Sequence, residues 1–220
     1  MRIDELKGYR TNPFYKIASQ SSDIENFYHR LKNQGYRDQI LGRGLFGLVF
    51  HRPNTPDVVY KAFLRSDRGY MKYLKFAMEN QHNPHVPKII GKPLSFDLEN
   101  GTQVVLVKLE RLEKLDSSDS SNYNQFLQLT AIIDSLSLVK NPFYDSDGKK
   151  KEEEFLQQRK QQYPTLYDIA QQIVKLSHKS RMEDVDLHSG NVMMRGNTLV
   201  VTDPYALTPS PTSSIRRANR

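Results

Sequence analysis

Cysteine is absent from the 220-residue chain. That excludes disulfides and thiolate metal sites and fits a reducing compartment. The first residues, MRIDELKGYRTNPFYKIASQ, carry no apolar leader core, and no apolar run approaches the length of a membrane span. These absences predict a soluble, cytoplasmic protein without membrane partners. No internal repeat is visible, so a repeat architecture is excluded as well. What remains is long enough for one domain or two small lobes whose core needs no covalent staple.

Charge is present in excess of one sign: 32 Lys and Arg stand against 25 Asp and Glu, a formal net charge of +7. Much of the excess is dispersed, and part sits in the tail SSIRRANR. The run DSDGKKKEEEF (145–155) is locally near neutral and reads as a solvated loop feeding a helix. A dedicated nucleic-acid site is not expected. The basicity is read as aiding solubility or attracting an acidic partner or a nucleotide.

Residues 1–20 show no clear period, whereas SSDIENFYHRLKNQGY (21–36) predicts a helix from its Ser/Asp start, apolar spacing and Gly stop. Strand-like spacing follows in QILGRGLFGLVFHR and DVVYKAFL (57–64) around the turn PNTP. RGYMKYLKFAMEN (68–80) is helical and ends at NPHVPKIIG. KPLSFDL and TQVVLVKLE are strand candidates joined by the hairpin signal ENG. Beyond residue 112 come two long helical patterns, SSNYNQFLQLTAIIDSLSLVK and PTLYDIAQQIVKLSHKS, then short strands. The fold class expected is α+β, with a helical extension over 1–38, a strand-rich lobe over 39–112 and a helical lobe over 113–220.

Glycines 42, 44 and 47 in LGRGLFGLVF form a GxGxxG pattern. A dinucleotide fingerprint would pass from the glycines into a helix; here strand, turn and strand follow. A glycine hairpin followed one strand later by a lysine matches the phosphate cover of the protein-kinase fold, with Lys61 against the phosphates. Near the C-terminus, DVDLHSGN holds Asp186 and Asn191 five positions apart, and Asp203 follows twelve later in VVTDP. Phosphoryl transfer needs a carboxylate to orient the attacking hydroxyl and oxygen ligands for Mg²⁺. Those residues supply both.

Over roughly residues 40–207 the sequence resembles the protein-kinase-like superfamily. VDLHSGNVMMRGNTLVVTDPYA is most similar to the small early Ser/Thr protein kinases of T-odd coliphages, which share a D-x-H-S-G-N loop and a T-D-P metal site. The resemblance implies a minimal two-lobe kinase using ATP and Mg²⁺ on Ser or Thr of host proteins, as in phage takeover of a bacterial cell. It also implies the site. Gly42, Gly44, Gly47, Val49 and Lys61 would contact ATP, with Glu110 and Leu112 at the adenine hinge. Asp186 would be the catalytic-loop base, and Asn191 and Asp203 the metal ligands.

Several positions depart from the family pattern. The acid expected to pair with Lys61 falls near Tyr73 or Leu74. Glu79, about one turn late, is either recruited by a shifted helix or Lys61 is held without this pair. Val185 stands where an Arg usually receives an activation-loop phosphate, and residues 204–220 are too few for an activation segment. An enzyme active as synthesised is therefore expected. His188 either touches the γ-phosphate or braces the loop, and bracing is favoured. D-F-G is replaced by DPY. Two rivals remain: a small-molecule phosphotransferase of the aminoglycoside or choline type, which shares DLHxGN, and a non-catalytic kinase-like binding module. The sequence sets no oligomeric state.

Overall fold

The structure, a computed structural model, describes residues 13–36, 40–43, 47–52, 54–178 and 183–207. It is α+β and divides into two compact units, Met1–Arg68 with Lys88–Arg111, and Gly69–Pro87 with Leu112–Arg220.

In the first unit, strands β1 (Ile40–Arg43), β2 (Gly47–Arg52), β3 (Thr55–Leu64), β4 (Leu94–Asp97) and β5 (Gln103–Glu110) form one antiparallel sheet. Its order is β1-β2-β3-β5-β4. The expected ENG hairpin joins β4 to β5, and Gly101 takes the left-handed φ of 78° that its turn requires. Because side chains alternate along a strand, Tyr60 and Ala62 point to one face of β3, and Val59, Lys61 and Phe63 to the other.

Helices α1 (Pro13–Ala18) and α2 (Ile24–Leu31) cover the first of these faces. Phe14, Ile17, Phe27 and Leu31 pack there against Leu48, Phe50, Ala62 and Leu106. The described helices of the segment expected as an extension thus supply part of the core of this unit. Emptying one such position, as in Phe27→Ala, costs about 3–5 kcal/mol. Asp23 starts α2 by accepting the Asn26 N–H at 2.7 Å. The sequence shows no period over α1, because six residues make fewer than two turns.

The second unit holds most of α3 (Arg68–Glu79), then α4 (Ser120–Lys140), α5 (Ser146–Gln162) and α6 (Pro164–His178). A three-stranded sheet joins β6 (Glu113–Lys114), β8 (Val192–Arg195) and β9 (Thr198–Val201). A two-stranded ribbon pairs β7 (Glu183–Val185) with β10 (Tyr205–Leu207). Leu129, Ile132 and Leu136 of α4 are buried, and α4 packs on α5, α6 and β9.

One expectation is corrected here. DSDGKKKEEEF is no loop: α5 begins at Ser146, with the Asp145 carboxylate accepting the Gly148 N–H at 2.7 Å. The run is rich in good helix formers and starts at a cap. Helix α5 as a whole buries only Leu156, so no apolar stripe announces it. Among the described residues, no helix is long and apolar enough to cross a membrane.

Candidate functional site

The expected site residues fall in both units. In the first, Lys61 sits mid-strand on β3 between Val49 of β2 and Val107 of β5. It is half-buried, on the sheet face away from α1 and α2, beside the buried Phe63, Val105 and Val107. The ladders on both sides fix the direction of its stem. Gly47 pairs with Phe63. A Cβ at Gly47 would run into the Ala62 carbonyl oxygen and come within 2.9 Å of the Phe63 Cβ, so the approach of β3 itself demands glycine there. At Gly42 a Cβ would meet nothing within 4 Å. No described neighbour requires that glycine. Gly44 lies outside the described residues.

Glu110 closes β5. Its Oε1 accepts the Lys88 N–H at 2.7 Å, and its own N–H donates to the Lys88 carbonyl at 3.0 Å. With Ile90 N–H donating to the Lys108 carbonyl at 2.8 Å, this holds residues 88–90 along the end of β5. Half-buried Leu112 opens the following segment of the second unit.

In the second unit, Asp186, Asn191 and Asp203 come together, and Asn191 is what joins them. Its backbone carbonyl accepts from the Thr202 N–H at 2.9 Å, the Thr202 hydroxyl at 2.9 Å and the Asp203 N–H at 3.3 Å. Its side-chain Nδ2 donates to the Asp186 carbonyl at 2.7 Å and lies 3.5 Å from Asp186 Oδ2. The Asp186 N–H in turn donates to the Pro204 carbonyl at 2.9 Å, continuing the pairing of β7 with β10. Since Nδ2 is held by Asp186, the Asn191 amide presents Oδ1 as its remaining polar end.

His188 Nδ1 accepts the Gly190 N–H at 3.0 Å. That bond leaves the neutral ring's proton on Nε2, which stands 3.9 Å from Asp186 Oδ2. A Cβ on Gly190 would crowd the ring, at 2.9 Å from Cε1.

Two residues of this unit escaped the sequence reading. Tyr73, at one of the positions where a Glu was sought, is buried, and its hydroxyl donates to the Val201 carbonyl at 2.5 Å. Burial above all, then Tyr70, Tyr205 and Asp203, push its ionisation far above the usual tyrosine value. The Val201 N–H donates to the His85 carbonyl at 3.0 Å. Thus both backbone polar groups of Val201, two residues before Asp203, are gripped. Buried His85 donates from Nδ1 to the Leu199 carbonyl at 2.7 Å and accepts at Nε2 from the Thr165 hydroxyl at 3.1 Å. Burial lowers its pKa, with Arg195 adding to the effect and the Leu199 bond opposing it. Arg195 donates to the Pro84 and Val86 carbonyls at 2.8 and 3.0 Å, fixing the loop that carries His85. Glu79 is exposed in the last turn of α3. A histidine between two prolines, in NPHVP, was the available signal for His85; the segment reads first as a helix stop.

Among the described residues no three His, Cys, Asp or Glu side chains cluster as a metal site. Mg²⁺ needs less from protein, since it keeps waters and takes substrate phosphate oxygens beside one or two protein ligands. The Asp203 carboxylate and Asn191 Oδ1 suit that sparse donor set.

A family model described as bacteriophage T7 protein kinase 0.7 matches residues 7–215. No curated protein matches the chain. The match covers nearly the whole sequence, and the chain belongs to the bacteriophage T7 protein kinase 0.7 family.

Proposed function

We propose that this phage kinase-family member is an ATP- and Mg²⁺-dependent serine/threonine protein kinase of reduced two-lobe form, acting on proteins of a bacterial host. The observation that carries the reading is the convergence of Asp186 and Asp203 on Asn191 through its carbonyl and its amide. In the transfer, the acceptor hydroxyl oxygen bonds to the γ-phosphorus while the bond from that phosphorus to the β–γ bridging oxygen breaks, releasing ADP. The hydroxyl proton passes to the Asp186 carboxylate and on to solvent. Asn191 and Asp203 would hold Mg²⁺, which when bound neutralises charge on the phosphate oxygens. Lys61 would meet the α- and β-phosphates, with Gly42 and Gly47 bordering them. Adenine would be recognised by main-chain groups around residues 110–112, since Glu110 Oε1 already accepts the Lys88 N–H. His188 braces the loop through Gly190.

A protein acceptor is favoured over a small molecule by α5. That helix buries only Leu156 and offers no apolar wall for a metabolite pocket. Val185 in place of an Arg removes the partner that an activating phosphate would need, which favours activity without prior modification.

The test uses protein co-expressed with a phosphatase and shown by intact mass to be unphosphorylated, incubated with γ-labelled ATP and bacterial extract. Label should appear on Ser or Thr of proteins without a lag, and none should appear with Asp186→Ala. Label confined to small metabolites, hydrolysis without transfer, or a protein inert until modified would each contradict the reading.

A further inference from the structure

We propose that the sheet face of the first unit opposite Lys61 carries a docking site for an acidic peptide segment with an apolar anchor residue. A cavity of about 330 Å³ opens on that face beside the start of α1, whose Pro13 and Phe14 line it. Its floor is apolar, made by Phe14, Tyr60, Leu94 and Leu106. Its rim is basic: Arg52, Lys92 and Lys108 all line it, and no Asp or Glu is among the described lining residues. The Arg52 guanidinium stands 5.6 Å from the centre of the Phe14 ring, which holds one cation at the edge of the apolar floor. Ile90, beside the two rim lysines, remains 39% exposed.

Positive rim and apolar floor call for carboxylates beside an apolar side chain. Nucleobases fit less well, because the aromatic faces are already in use. Phe50 stacks on Tyr60 at 5.5 Å and 18°, and Phe14 packs on the same tyrosine at 5.2 Å. What stays open to a visitor is half-buried Leu94 beside exposed Ile90, above the buried Leu106, suited to a leucine-like anchor.

The position also suits docking. Tyr60 and Lys61 are consecutive on β3, so their side chains leave opposite faces of the sheet. A segment seated over Tyr60 would leave the Lys61 face uncovered. The use of such a site rests on the protein-kinase reading: tethering one part of a substrate raises the local concentration of its acceptor hydroxyl.

The test separates binding from transfer. A short fluorescent peptide carrying one leucine between runs of glutamate is titrated into the full chain by anisotropy, beside its glutamine-substituted counterpart. The glutamate peptide should bind at least about tenfold more tightly, and Lys92→Glu with Lys108→Glu should abolish that difference. The milder Lys92→Gln with Lys108→Gln pair, checked for an unchanged melt, should weaken it in part. Fusing the glutamate segment to a phosphorylated protein should lower KM about tenfold and leave kcat unchanged. Binding without any phosphate transfer would retain the docking site and refute the kinase reading. Equal affinity for the two peptides, or full affinity in a folded charge-reversal variant, would overturn the docking site.

Discussion

Lys61 stands mid-strand with a paired strand on each side, whereas Asp203 follows β9 in a turn tied to Asn191 and, through Val201, to Tyr73 and His85. The first position is set by backbone register, a property of a whole ladder. The second is set by a few hydrogen bonds from residues distant in the chain. A sheet tolerates loss of the side chain it presents, because the ladder does not depend on it. A loop held by buried polar groups depends on each of its partners, and leaving one unsatisfied costs about 1–3 kcal/mol.

Substitutions at the two positions should expose this difference. Asp203→Ala is expected to reduce transfer about a thousandfold or more, some 4 kcal/mol of transition-state stabilisation. Lys61→Ala should lower it about a hundredfold while its melt stays within about 1 kcal/mol of wild type. Transfer rates beside denaturant melts for both variants check the pair. A Lys61→Ala protein that fails to fold would break the contrast.

A third substitution probes the support. Tyr73→Phe keeps the buried ring and removes only the donor to Val201. Stability should drop by about 1–3 kcal/mol. The transfer rate should fall about tenfold while nucleotide affinity holds, because only the placement of Asp203 is disturbed. Matched melts and separate measurements of kcat and nucleotide Kd decide it. Equal losses in kcat and in nucleotide affinity would mean that Tyr73 serves the fold alone.

The smallest effect concerns pH. Burial lowers the His85 pKa below its ordinary 6.5, so the folded state resists a proton that the unfolded state accepts. His85 therefore contributes stability that is complete above about pH 6.5 and is lost as pH falls below it, by at most about 1.4 kcal/mol per pH unit. A His85→Gln protein should be less stable at neutral pH yet show a shallower acid slope. Chemical melts between pH 5 and 8 compare the two slopes.

The same contrast explains what could be read in advance. Alternation in VVYKAFL places Lys61 on a strand with its side chain on a definite face, since strand period and burial coincide there. ENG marks the β4–β5 hairpin through the one residue type that takes its φ without strain. The spacing of Asp186, Asn191 and Asp203 is legible because all three lie on one short stretch of chain. Their supports are not. Tyr73 and His85 act on Val201 across more than a hundred residues, and no local pattern records a partner that remote. α5 was hidden for another reason: a helix with a single buried side chain has no stripe to detect.

The central claim is that Asp186 orients an acceptor hydroxyl for attack on ATP. Single-turnover transfer to a protein acceptor by Asp186→Asn, with nucleotide affinity measured by calorimetry on the same preparation, tests it most directly. The substitution is nearly isosteric and removes the proton acceptor. The expected result is nucleotide affinity within about threefold of wild type and transfer slower by about a thousandfold. Transfer at the wild-type rate would contradict the claim.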